Sequence, residues 1–79
     1  MQKKYEEEYK EPSIQVCLQP EEEHLEIPRK KAKNVARLLI HLGIRPYTAL
    51  VAREGIPLTP DVPLFPNQNI IVRKVMSSG

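Results

Sequence analysis

The sequence is poor in cysteine, glycine and tryptophan, and these shortages exclude several kinds of site. Of the 79 residues, one is Cys, three are Gly and none is Trp. A lone cysteine, Cys17, cannot form a disulfide or a cysteine-based zinc site within one chain. The glycines, at positions 43, 55 and 79, are too widely spaced to form a phosphate-binding loop. We therefore expect no bound cofactor of these kinds.

Long hydrophobic runs are missing as well. Runs such as Leu38-Leu39-Ile40 and Ile70-Ile71-Val72 are far shorter than the roughly 20 residues that cross a bilayer. The first residues, 1–8, include basic side chains but no apolar stretch behind them, so no secretory signal is expected. These features predict a cytoplasmic protein that has no membrane partner.

The titratable residues do not form a recognisable catalytic motif. His24 and His41 have no Cys, Asp or second His at a metal-ligand spacing. The carboxylates cluster in two runs, 6–8 and 21–23, which are typical of a solvated terminus and a solvated turn. We therefore predict that the protein is not an enzyme and binds no metal.

Charge is distributed unevenly along the chain. Residues 1–27 hold eight Glu and three Lys, whereas residues 28–79 hold nine Lys and Arg against one Glu and one Asp. Five of those nine cations lie between Arg29 and Arg37, at a predicted helix start. A nucleic-acid surface is the alternative interpretation. No aromatic residue is interleaved with these cations, which favours a solvated helix surface and no nucleic-acid partner.

The hydrophobic pattern divides the chain into three parts. Residues 1–12 are polar and aperiodic and are predicted to form a mobile charged extension, residues 13–75 a single domain, and residues 76–79 a flexible tail. Within the domain, apolar residues alternate with polar ones in two successive runs, 13–19 and 24–27, which predicts a hairpin. Further strands are predicted over 48–53, 56–58 and 70–75.

One helix is predicted between the hairpin and the third strand. Asn34 is a favourable N-cap, and Gly43 can supply the left-handed residue that ends the helix. The apolar residues of the helix recur at a spacing that places them on one stripe: Val35, Leu38, Leu39 and Leu42.

The order strand, strand, helix, strand, short strand, strand predicts an α+β fold, the β-grasp (ubiquitin-like) fold. It has a mixed sheet of four to five strands covered by one helix. The helix stripe is expected to pack against the sheet residues Ile14, Val16, Leu18, Leu25, Ile27, Leu50, Ile70 and Val72. The proline-rich connector is expected to be anchored to the core by Leu58, Val62, Leu64 and Phe65.

Four stretches together resemble the ThiS/MoaD family of ubiquitin-like sulfur carriers. They are residues 34–43, residues 49–55, the connector with Pro60-Asp61 and Leu64, and residues 69–79. The resemblance covers about residues 13–79. It implies a carrier whose terminal glycine carboxylate is adenylated by an E1-like enzyme and converted to a thiocarboxylate. ATP and Mg²⁺ are then used by that enzyme, a sulfur donor protein supplies the sulfur, and an acceptor synthase receives it, in thiamine or molybdopterin biosynthesis.

The resemblance also implies roles for individual residues. Gly79 is the activated and thiolated terminus, and Ser77 and Ser78 thread into the channel of the partner. A docking face for the partner includes Ile71, Arg73 and Met76, with Arg53 as a further candidate. Two features depart from the family pattern, which usually ends in Gly-Gly and has Asp-Gly-Asp before the last strand. Here Ser78 precedes Gly79 and the turn is Asn67-Gln68-Asn69.

Ser78 leaves an alternative open. A serine adds a Cβ and a hydroxyl group at a position where the channel of an activating enzyme usually meets neither. The chain can therefore also be interpreted as a ubiquitin-like protein-interaction module with an inactive tail.

Overall fold

The computed structural model describes residues 11–75, which form five strands, one α-helix and two short 3-10 helices. The elements are β1 (Ser13–Gln19), β2 (Glu23–Pro28), a 3-10 helix (Arg29–Lys31), α1 (Val35–Leu42), a 3-10 helix (Pro46–Thr48), β3 (Ala49–Arg53), β4 (Ile56–Pro57) and β5 (Asn69–Lys74). The five strands and α1 follow the predicted order, and their ends lie within one residue of the predicted ends. The two 3-10 helices were not predicted. Apart from Glu11 and Pro12, the predicted extension and tail lie outside the described residues.

The strands form one mixed sheet in the order β2-β1-β5-β3-β4. β1 and β5 are parallel, and the other neighbouring strands are antiparallel. The last strand thus lies at the centre of the sheet, between the first strand and the third. α1 packs on one face only, because its buried residues belong to the same cluster as the inward-facing residues of the sheet. This arrangement is the predicted β-grasp fold.

Local signals define both ends of α1. The Asn34 side-chain oxygen accepts a hydrogen bond of 2.8 Å from the backbone N–H of Arg37, which is the N-cap interaction. At the other end Gly43 has φ of 73°, and the N–H of Ile44 donates to the carbonyl of Leu39 at 2.9 Å. A left-handed residue after the last turn allows this pairing, and glycine adopts that conformation without steric cost. In the described residues, no helix has the length and apolar character required to cross a membrane.

The core lies between α1 and the sheet. Its buried residues are Ile14, Val16, Leu18, Ile27, Ala32, Val35, Leu38, Leu39, Val51, Leu64, Ile70 and Val72. Four residues predicted for the core or its anchor are partly buried against this cluster: Leu25, Leu42, Leu58 and Val62.

The predictions for Leu50 and Phe65 were wrong. Leu50 is 62% exposed, and its neighbour Val51 is buried in its place. The reason is the register, which pairs Leu50 with Arg73 and Val51 with the buried Val72. In the connector Leu64 is fully buried, whereas Phe65 is 49% exposed.

The connector between β4 and β5 is fastened to the start of α1. The N–H groups of Val35 and Ala36 donate to the carbonyls of Val62 and Pro60, each at 3.0 Å. In return, the N–H of Leu64 donates to the carbonyl of Lys33 at 3.0 Å. Two of the N–H groups that a helix start leaves unpaired are thereby satisfied by the connector. The connector therefore has a defined position although its prolines prevent regular secondary structure.

Candidate functional site

The sheet face that points away from α1, here called the outer face, carries the predicted docking residues. Strand registers determine its membership, because residues directly opposite one another point to the same side of a sheet. Its residues include Gln15, Cys17, Gln19, His24, Glu26, Leu50, Ala52, Asn69, Ile71 and Arg73.

The middle of the outer face is apolar. Ile71 of β5 lies opposite Cys17 of β1 on one side and Ala52 of β3 on the other. Leu50 lies one row away, opposite Arg73. Ile71 is 38% exposed and Leu50 62% exposed, although both residues are aliphatic. Exposed apolar side chains grouped on one surface are typical of protein contact sites.

Two of the predicted docking residues lie together in the structure, and a third lies on the other side of the sheet. Ile71 and Arg73 lie on the outer face as alternate residues of β5, whose exposure alternates along the strand. Arg53 lies opposite Ile70, so its side chain is on the α1 side of the sheet, away from Ile71 and Arg73. Met76, Ser77, Ser78 and Gly79 lie outside the described residues.

Leu50 is the member of this patch that sequence reasoning missed. The run Ala49-Leu50-Val51-Ala52 is apolar at every position, so its hydrophobic pattern does not indicate which residues face inward. The sequence of the partner strand gives no signal either, since residues 70–72 are apolar at every position. The alternation between buried Ile70 and Val72 and exposed Ile71 and Arg73 is visible only in the structure.

Cys17 and His24 lie opposite each other on the outer face. A cavity of about 180 Å³ on this face is lined by Cys17, His24, Ile71 and their neighbours. No hydrogen bond joins Cys17 to His24 among the interactions of residues 11–75. Within that range there is also no group of three or more His, Cys, Asp or Glu side chains that could hold a metal ion.

Two interactions fix the end of β5 where the chain leaves the sheet. Lys74 Nζ lies 2.7 Å from Glu21 Oε2 in the turn between β1 and β2. This hydrogen bond is the main reason that the pKa of Glu21 is lowered from its ordinary value of 4.5. The N–H of Val75 donates to the carbonyl of Thr48 at 2.9 Å. The chain is therefore held in place up to Val75, beside the outer face.

Comparison with known proteins identifies the fold. No protein-family model matches the chain, and no curated protein sequence matches it. Among solved structures, the chain is similar to a computationally designed protein based on the template of human erythrocytic ubiquitin, studied by solution NMR. The TM-score is 0.64 at 19% sequence identity, and the match covers 86% of this chain and 96% of the designed one. The chain therefore has the ubiquitin-like β-grasp fold.

Proposed function

We propose that this protein is a sulfur carrier of the ThiS/MoaD type, whose terminal residue Gly79 is adenylated by an E1-like enzyme and then converted to a thiocarboxylate. The observation that carries the proposal is the placement of an exposed apolar patch on β5, the strand that leads to Gly79. Ile71 and Arg73 lie on the outer face of that strand, and the backbone is fixed up to Val75. The sulfur would serve thiamine or molybdopterin biosynthesis.

The reach of the tail is consistent with this role. Four residues follow Val75, and an extended chain of that length spans at most about 14 Å. An activating enzyme that contacts Ile71 and Leu50 can therefore receive Gly79 in a site within about that distance of the sheet. None of the last three residues has a side chain larger than that of Ser, which suits entry into a narrow channel.

The proposed chemistry divides between the carrier and its partner. The Gly79 carboxylate attacks the α-phosphorus of ATP, forming an acyl-adenylate and releasing pyrophosphate. A hydrosulfide equivalent from the sulfur donor then attacks the acyl carbon, and AMP leaves with the carboxylate oxygen. Activation is needed because a free carboxylate is a poor electrophile without a leaving group. The carrier supplies the carboxylate and a contact surface, and the enzyme supplies ATP, Mg²⁺ and the catalytic residues.

A ubiquitin-like interaction module with an inactive tail is the second candidate. Ser78 favours it, because this residue adds bulk where the family has glycine. In that case the outer face binds a partner protein and Gly79 takes no part. The two candidates share the contact surface and differ only in whether Gly79 reacts.

The experiment that distinguishes them is the intact mass of the protein after incubation with ATP, Mg²⁺, sulfide and an E1-like enzyme from the same cell. The carrier is expected to gain about 16 Da, because one carboxylate oxygen is replaced by sulfur. A variant lacking Gly79 should gain nothing while its circular dichroism and thermal unfolding remain unchanged. An unmodified mass, with a known carrier reacting in parallel, would reject the carrier function and favour the interaction module.

A matched pair of substitutions tests the contact surface. Ile71→Asp on the outer face should slow adenylation at least tenfold, since it places a charge in an apolar contact. Ile56→Asp is the control, because Ile56 is also exposed, at 62%, but lies opposite Arg53 at the β4 edge. Equal rates for both variants, each shown to be folded, would contradict a contact through the outer face.

A further inference from the structure

A second surface lies at the other end of the sheet, and the proposed carrier chemistry does not use it. It is a groove of about 460 Å³, here called the basic groove, lined by Glu11, Pro12, Arg29, Lys30, Lys33, Phe65 and Pro66. Its position is opposite to the tail, because it lies beside the start of β1, whereas Val75 follows the end of the parallel strand β5.

Arg29, which lines the groove, is held in position by two hydrogen bonds. The backbone N–H of Arg29 donates to the carbonyl of Pro12 at 2.9 Å, and its Nε donates to the carbonyl of Leu64 at 2.9 Å. The guanidinium carbon then lies 5.3 Å from the centre of the Phe65 ring, a distance typical of a cation–π contact. Phe65 is thus positioned while 49% of its surface remains exposed. The groove has an apolar floor formed by Phe65 and the two prolines.

Cations continue from the groove along the start of α1. An adjoining cavity of about 220 Å³ is lined by Lys30, Lys31, Lys33 and Arg37. Lys30 forms an ion pair of 2.8 Å with Glu11, and the first turn of α1 contains no acidic residue. The cations near the helix start repel one another and the positive end of the helix dipole. An anionic ligand would relieve this repulsion.

We propose that the basic groove binds an acidic peptide segment of a partner protein, with one bulky apolar side chain against Phe65 and Pro66. The flanking carboxylates of the segment pair with Lys33, Lys31 and Arg37. The apolar lining matches the bulky side chain of the segment, and the adjoining cationic cavity matches its carboxylates. This surface is separate from the outer face and does not depend on the activation of Gly79.

The lining favours a peptide over a nucleic acid, although the structure does bring an aromatic residue next to the cations. Arg29 already covers part of the Phe65 ring, so a base could stack only on what remains. Pro12 and Pro66 have no backbone N–H, and apart from Phe65 the other lining side chains are charged. The groove therefore has few neutral groups that could read the edge of a base. An apolar side chain of a peptide can bind without such hydrogen-bonding groups.

The test is a fluorescence-anisotropy titration of the full chain with a fluorescein-labelled octapeptide of seven Glu and Asp residues and one central Phe. We expect binding that weakens about fivefold or more for Phe65→Ala and for a peptide whose central Phe is replaced by Ser. Arg37→Gln should weaken binding by a similar factor and reduce the dependence of affinity on salt. Gln at this position can also complete a capping box with Asn34, so this variant is expected to fold.

Arg45→Gln is the matched control, because it removes the same charge from an exposed residue that lines neither cavity. It should leave the affinity within about twofold of the unmodified chain. Absence of binding would overturn the proposal, as would equal losses for Arg37→Gln and Arg45→Gln. The proposal would also be overturned if the affinity did not depend on Phe65 or on the central Phe of the peptide, since only non-specific charge attraction would remain. If a fluorescein-labelled single-stranded RNA bound more tightly than the peptide, and this binding depended on Phe65, the ligand of the groove would be a nucleic acid and the peptide proposal would be wrong.

Discussion

Leu64 and Phe65 are neighbours in the sequence and have opposite environments. Both belong to the connector. Leu64 is fully buried in the core, whereas Phe65 is half-exposed in the basic groove. Both were predicted to anchor the connector, because both are large and apolar. In an irregular segment no periodicity indicates which neighbour faces the core. The hydrogen bond from the N–H of Leu64 to the carbonyl of Lys33 settles the question in the folded chain.

This difference predicts unequal costs of truncation. Leu64→Ala should lower the free energy of unfolding by about 2–5 kcal/mol, because it leaves a cavity among buried side chains. Phe65→Ala should lower it by no more than about 1 kcal/mol. Urea unfolding followed by circular dichroism measures both values. Similar losses for the two variants would contradict the assigned burial.

At the scale of elements, one ion pair connects the β1–β2 turn to the end of β5. The pair joins Lys74 and Glu21 across strands that are distant in sequence, and it lowers the pKa of the Glu21 carboxyl. A lowered carboxyl pKa means that the folded state holds the proton less tightly than the unfolded chain. The stabilisation is therefore complete above a pH of about 4.5, the ordinary pKa, and is lost as the pH falls through the lowered value.

We therefore expect Lys74→Met to raise the pKa of Glu21 towards 4.5. Side-chain carbon chemical shifts followed over a pH titration measure it directly. Lys30→Met is the control, since Lys30 pairs with Glu11, and it should not change the titration of Glu21. If Glu21 titrates identically in the unmodified chain and in Lys74→Met, the ion pair does not form in solution.

The elements differ in how far their structure depends on residues that are close in sequence. Both ends of α1 were predictable, because Asn34 and Gly43 act on the backbone within a few residues. The hairpin of β1 and β2 was also predictable, because each strand alternates along its own sequence. The orientation of β3 was not, since Ala49–Ala52 is apolar throughout and its inward face depends on pairing with β5. That pairing exposes Leu50 and so creates part of the candidate contact surface.

At the scale of the whole molecule, the two candidate surfaces lie at different places on the fold. The apolar patch around Ile71 is on the outer face, and the basic groove is beside the start of β1. The two proposed partners, the activating enzyme and the acidic segment, would therefore contact different surfaces.

Cys17 provides a reporter for this separation. It is the single thiol of the chain and lies on the outer face opposite Ile71, partly exposed. Docking of the E1-like enzyme on the outer face should slow alkylation of Cys17 by iodoacetamide at least tenfold, because the contact covers the thiol. Intact mass over time measures the rate.

The acidic octapeptide at the basic groove serves as the control and should leave the alkylation rate unchanged. Protection of Cys17 by the peptide would mean that the two surfaces are not independent. Full reactivity in the presence of saturating enzyme would place the enzyme contact elsewhere.

The element order, the helix ends and most of the core were predictable from the sequence, because these depend on local periodicity and on capping residues. The sequence also located the cations between Arg29 and Arg37. The tertiary structure alone decided that Arg53 is separated from Ile71 and Arg73 and that Leu50 joins them. It also decided that Phe65 lies among the cations. These outcomes depend on strand register and on the path of an irregular connector, and both are set by contacts between residues far apart in the chain.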